Sequence, residues 1–82
     1  MVENMAKQKL YSDPELAQLA KQFREQSGKT KAELGRELNV TRPTMQDVEE
    51  RPERNLTKLR RRIIEKYSPF RVVGPVYFLA RK

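Results

Sequence analysis

Five apolar residues, Leu34, Leu38, Val40, Met45 and Val48, follow one another at intervals of 4, 2, 5 and 3. Intervals of three and four keep side chains on one face of a helix, and an interval of two does not. A single helix through this region would turn Val40 away from Leu38, so the chain has to break between them. Asn39 supplies the break, because asparagine tolerates the left-handed backbone found at helix ends. The stretch AELGRELNVTRPTMQDVEE, residues 32–50, therefore reads as two short helices joined by a tight turn, with Val40 plugged into a shared core.

The flanking signals place the other elements. In SDPE, Ser12 or Asp13 can cap a helix, Pro14 suits its first position and Glu15 favours its positive end. Leu16, Leu19, Ala20 and Phe23 then line one face of a first helix over about 14–26, which Gly28 stops. Thr30 and Glu33 have the capping-box spacing that opens the second helix. Pro52 ends the third, and Asn55 is expected to cap a fourth with Leu56, Leu59, Ile63 and Tyr67 on its inner stripe. Arg60 is placed with Lys58, Arg61 and Glu65 off that stripe. The period then changes: FRVVGPVYFLARK is rich in β-branched and aromatic residues and reads as strand, bend, strand. Gly74-Pro75 is either a two-residue type II′ hairpin turn, with glycine at positive φ, or a kink in one long strand. The fold class is thus mainly α, a bundle of about four helices with a short C-terminal β-strand or hairpin. Residues 1–12 form an unpatterned N-terminal segment expected to fray, 13–67 the helical domain and 68–82 the β-rich end.

Composition narrows the chemistry. With 82 residues, 37% hydrophobic and 35% charged, the chain can build one small core and has little apolar surface to spare, which makes a partner chain a natural expectation. No apolar run is long enough to span a bilayer, and Met1 to Tyr11 lacks the apolar centre of a signal peptide, so no membrane association and a cytoplasmic location are expected. Cysteine and histidine are both absent, which removes the commonest general base, a common nucleophile and most zinc sites. No enzymatic activity, catalytic residue, cofactor or metal is expected. The net charge of +7 is concentrated at one end: residues 54–82 carry nine Lys/Arg against Glu65 alone. Such a half suits a polyanion.

Lys31 to Glu50 resembles the helix-turn-helix core of the lambda-repressor/Cro-like (XRE) family. Leu34, Leu38, Val40, Met45 and Val48 match its five apolar positions. Gly35 matches the small residue at the helix crossing, Asn39 the turn residue and Thr41 the cap of the recognition helix. The resemblance runs over about Leu16 to Arg51. It implies a sequence-specific regulator of transcription, a dimeric repressor that lays helix 42–50 in the major groove of double-stranded DNA. By position it implies that Arg42, Pro43, Gln46 and Asp47 face the groove, with Thr41 at the cap and Thr44 toward a phosphate. Arg42 could grip guanine and Gln46 adenine in bidentate pairs. Lys31 matches a phosphate-contacting position, and Arg54 and Lys58 would add phosphate contacts just beyond the helix. Arg24 and Glu49 match a pair that forms an internal salt bridge in the family.

Two features strain the match. Residues 41–53 carry two basic and four acidic side chains, a poor balance beside phosphate. Pro43 also stands at the tip of the reading helix. Proline is tolerated in a first turn, where its missing N–H has no internal partner, but it pushes Arg42 toward extended geometry. Either Thr41 caps the helix, or Arg42 does and Pro43 takes the first position; proline's preference favours the second. Pro43 then offers an apolar ring suited to a thymine methyl.

The end of the chain, LRRRIIEKYSPFRVVGPVYFLARK, loosely resembles small antitoxins of the HigA type, whose tail commonly contributes to dimerisation. That implies a homodimer joined through Phe70, Val72, Val73, Val76, Tyr77, Phe78 and Leu79. It also raises an alternative function, an antitoxin that binds a toxin protein and autoregulates its own promoter.

Overall fold

A computed structural model describes residues 9–74 and 77–82 of the chain. Among the described residues, four helices, α1 (Asp13–Gln26), α2 (Lys31–Leu38), α3 (Arg42–Glu50) and α4 (Thr57–Tyr67), precede two strands, β1 (Phe70–Val73) and β2 (Phe78–Arg81). The protein is mainly helical with a small antiparallel hairpin at its C-terminal end.

The helices begin where local chemistry directs. At α1, the Glu15 N–H donates to Ser12 Oγ and the Ser12 N–H donates back to Glu15 Oε1 at 2.9 Å. Thr30 and Glu33 repeat the same box at α2. These backbone donors hold both carboxyls below the ordinary carboxylate range. Asn39 ends α2 at φ 59 and ψ 46, and Thr41 opens α3 by accepting the Thr44 N–H at 3.3 Å. Arg42 is therefore the first residue of α3 and Pro43 the second, not the cap and the first as proline's preference suggested. The Thr41 hydroxyl decides it, because it supplies an acceptor that an Arg42 cap could not.

α1 lies against α4 and α3, α2 against α3, and β1 against α4. Leu16 and Ala20 of α1, Leu34 and Leu38 of α2, Met45 and Val48 of α3, Leu59, Ile63 and Ile64 of α4, and Val72 of β1 form one buried cluster. Tyr11 belongs to this body as well: its N–H donates to the Tyr77 carbonyl at 2.8 Å, and it packs against the core. The expected fraying of the N-terminal segment otherwise falls on residues 1–8, which lie outside the described residues.

α4 differs most from expectation. Asn55 does not cap it; Leu56 stands at the cap without any side-chain hydrogen bond. Arg60, expected among the outward cations, is 0% exposed. Its Nε donates to the Val48 carbonyl at 2.9 Å, Nη1 to that of Arg54 at 3.1 Å and Nη2 to that of Arg51 at 2.9 Å. These carbonyls belong to the end of α3 and the segment after it. The guanidinium fixes that segment's curl, so helix α4 starts one residue later than a cap at Asn55 would allow.

The hairpin pairs Phe70 with Arg81, Arg71 with Ala80, Val72 with Leu79 and Val73 with Phe78. With Val73 opposite Phe78, four positions separate the paired strands, two more than the expected Gly74-Pro75 turn; Pro75 itself lies outside the described residues. Gly74 is not at positive φ. Its smallness matters for a different reason: a Cβ there would lie 2.7 Å from the Tyr77 ring. On the outer edge of β1, the Val72 N–H donates to Glu65 Oε2 and the Val72 carbonyl accepts from Arg61 Nη2, both at 3.0 Å. Side chains of α4 therefore occupy an edge that would otherwise be left unpaired.

Replacing Arg60 by Met should lower the unfolding free energy by about 3 kcal/mol, because buried carbonyls lose a charged donor and gain no other. Urea denaturation followed by circular dichroism measures it; a loss well under 1 kcal/mol would show that the bonds contribute little.

Candidate nucleic-acid interface

The α2–turn–α3 unit is built for close approach. A Cβ on Gly35 would sit 2.9 Å from the Val40 carbonyl oxygen and 3.4 Å from Met45 Cγ, so only glycine lets the turn fold back on α2. The Val40 N–H then donates to the Gly35 carbonyl at 2.8 Å. Behind α3, Arg24 Nε donates to Glu49 Oε2 at 2.5 Å, Nη2 to Glu49 Oε1 at 3.1 Å and Nη1 to the Lys29 carbonyl at 2.7 Å. This two-pronged, buried pair joins α1 and the segment before α2 to the rear face of α3. The pairing expected between Arg24 and Glu49 is present.

The nine residues expected to meet DNA divide into groups. Thr41, Arg42 and Pro43 are exposed at the start of α3. Thr44 is half-buried, and its hydroxyl oxygen accepts from Thr41 Oγ1 at 2.9 Å, which leaves the Thr44 hydroxyl proton available. Arg42 has neither a hydrogen-bonding side-chain partner nor an ion pair among the described residues. Lys31 and Gln46 are held together: Lys31 Nζ donates to Gln46 Oε1 at 2.7 Å and to Glu50 Oε2 at 3.0 Å, and Gln46 Nε2 donates to Glu50 Oε2 at 2.5 Å. Asp47 pairs with Arg54 at 2.6 Å. Lys58 is exposed in the first turn of α4, where with Arg61, Arg62 and Glu65 it lines a hollow of about 270 Å³.

The unfavourable charge count of residues 41–53 changes once the spatial partners are known. Asp47 has Arg54, Glu49 has Arg24, Glu50 has Lys31, and Glu53 has Arg51 at 3.3 Å. Each acid of the segment is matched by a cation, and Arg42 is left over. Glu50 is absent from the sequence-derived set of interface residues. Its four-residue spacing from Gln46 was a usable signal, since such pairs meet on a helix surface. Its contact with Lys31, 19 residues away, has no local signature.

The residues expected to dimerise do not share one surface. Val72 is in the chain's own core, and Tyr77 and Leu79 pack against it. The Phe70 ring lies under the Arg81 guanidinium, 5.5 Å from its centroid. Strand alternation puts Val73 and its partner Phe78 on the opposite face, away from that core. Val76 lies outside the described residues. Among the described residues, no helix is long and apolar enough to cross a membrane. Comparison with known proteins finds no matching family model, no matching curated protein and no matching solved structure.

Glu49→Leu alone should destabilise the protein by about 3 kcal/mol, since it leaves the Arg24 charge buried without its partner, and the Arg24→Met, Glu49→Leu double variant should recover much of that loss. Chemical denaturation of the three variants decides it; strictly additive losses would exclude coupling.

Proposed function

We propose that this protein is a sequence-specific DNA-binding regulator of the lambda-repressor/Cro-like helix-turn-helix type, acting as a dimeric repressor. The observation that carries the reading is the division of α3 into two faces. Its inner face, Met45, Val48 and Glu49, is buried, whereas its outer face presents unpaired Arg42 beside exposed Pro43, with every nearby acid matched by a cation. A helix locked from behind and cationic at its leading end suits entry into the major groove.

In this reading Arg42 donates two hydrogen bonds to guanine O6 and N7, and Pro43 meets a thymine methyl. Thr44 donates its free hydroxyl proton to a phosphate. Gln46 reads an adenine edge after leaving its present partners. Lys31, Arg54 and Lys58 meet phosphates, and the free N–H groups in the uncapped first turn of α4 favour an anion near Lys58. A second copy, joined across the face carrying Val73 and Phe78, would set two α3 helices about 34 Å apart, one DNA turn. Bound over a promoter, such a dimer blocks polymerase.

The test is a footprint on DNA upstream of the protein's own coding sequence, run across a salt series. Arg42→Ala should weaken the preferred site by about 10- to 100-fold while barely affecting random duplex. An equal loss on both would mean that Arg42 touches only phosphate. Pro43→Gln should alter which base is preferred at one position more than it alters stability. For the dimer, Phe78→Glu should shift sedimentation from dimer to monomer with the helical signal kept; a monomeric wild type would remove the two-fold arrangement.

A further inference from the structure

The Lys31–Gln46–Glu50 cluster is a closed triangle on the outer surface of α2 and α3. One carboxylate oxygen, Glu50 Oε2, accepts from both Lys31 Nζ and Gln46 Nε2, while Gln46 Oε1 accepts from Lys31 Nζ. Two groups that would meet DNA are thus occupied by a third that carries negative charge. Glu50 itself is the last residue of α3 and is exposed, so no packing of the core requires a carboxylate there.

Resting on the DNA-binding reading, we propose that Glu50 is a specificity-determining residue that withholds Lys31 and Gln46 from DNA until a matching site replaces their partners. The exchange has to be balanced. A phosphate oxygen can take the Lys31 ammonium from Glu50, and adenine can take both ends of the Gln46 amide. Glu50 is then left with a bare carboxylate near the groove. That is tolerable where a base offers an amino donor, cytosine N4 or adenine N6, and unfavourable beside the acceptor oxygens of guanine or thymine. On random duplex the replacements are incomplete, the triangle stays closed, and Lys31 neutralises Glu50 instead of phosphate. Non-specific binding is therefore weaker than the basic end of the chain alone would give.

The experiment compares wild type, E50Q, K31M and the E50Q/K31M double variant on two duplexes across a salt series. One duplex is the site the wild type selects from a random pool; the other is of random sequence. E50Q should tighten binding to random duplex by about fivefold, the scale of one surface ion pair. It should also steepen the salt dependence there by about 0.9, one phosphate contact. At the selected site E50Q also removes the cost of opening the triangle, but it loses the carboxylate's charged contact with the base amino group. Affinity there should therefore change little, and the ratio between the two falls by about fivefold. K31M should weaken the selected site and leave random duplex nearly unchanged, and the double variant should lose the gain of E50Q. If E50Q tightens both duplexes equally, or its gain survives K31M, Glu50 is only a repelling charge and the withholding idea is wrong. Unchanged binding by E50Q, with a wild type that still selects a site, removes this inference alone. A wild type with no salt-dependent duplex binding removes the DNA-binding reading itself, and the inference with it.

Discussion

Arg60 is the contact on which the rest of the structure depends. A fully buried guanidinium is costly to remove from water, and here no carboxylate bonds it; the backbone carbonyls of Asp47, Val48, Arg51 and Arg54 do. Burial lowers its pKa, yet arginine keeps its proton in proteins. The carbonyls suit it because the end of a helix carries excess negative partial charge and unpaired acceptors. Through them α4 is joined to the end of α3, and the intervening segment is curled so that Arg54 can reach Asp47. Arg24 plays the matching part from α1 by gripping Glu49. α3 is therefore held from behind by two buried cations as well as by Met45 and Val48. A chain with so little apolar content gains orientation from such directional contacts that a few more aliphatic side chains could not supply.

The same arrangement separates two kinds of positive charge. Arg24 and Arg60 are spent inside, and Lys31, Arg51 and Arg54 are matched with acids on the surface. Arg42 and Lys58 remain exposed without such partners among the described residues. Surface pairs of this kind are individually weak and readily exchanged for phosphate, so they tune a polyanion-binding face without blocking it. The net charge of the whole chain does not reveal which cations are available; the partners do.

At the C-terminal end the hairpin serves the helical body first. Val72 completes the core, and Arg61 and Glu65 of α4 satisfy its backbone on the outer edge. Tyr11 meets Tyr77 by a backbone bond, which attaches the start of the described chain to the same end. An isolated two-stranded hairpin is marginal in water, and these contacts are what make it part of the fold. The apolar pair left facing outward, Val73 and Phe78, is correspondingly small.

Local chemistry was legible in the sequence, because its signals span three or four residues. The caps at Ser12 and Thr30, the left-handed Asn39 and the change of period after Tyr67 all depend on near neighbours. On sequence alone the cap of α3 is open between Thr41 and Arg42, with proline's preference pointing to the wrong one, and the close approach at Gly35 is reached through resemblance. The Arg24–Glu49 pair, 25 residues apart, was reached only through resemblance. In the run RRR only Arg60 stands four residues from both Leu56 and Ile64, which puts it on an apolar face. A charged residue there does not read as buried, because the carbonyls that receive it come from other elements. Likewise Val72 and Val73 are alike in sequence, and only the register of β1 against α4 sends one to the core and leaves the other half-buried on the opposite face. The sequence by itself determined which elements form, in what order and roughly where, while the first residues of α3 and α4 and the hairpin turn were settled only in the folded chain. Tertiary structure decided which charges are buried, which are paired and which remain for a partner, because those outcomes depend on distances between elements that no local spacing encodes.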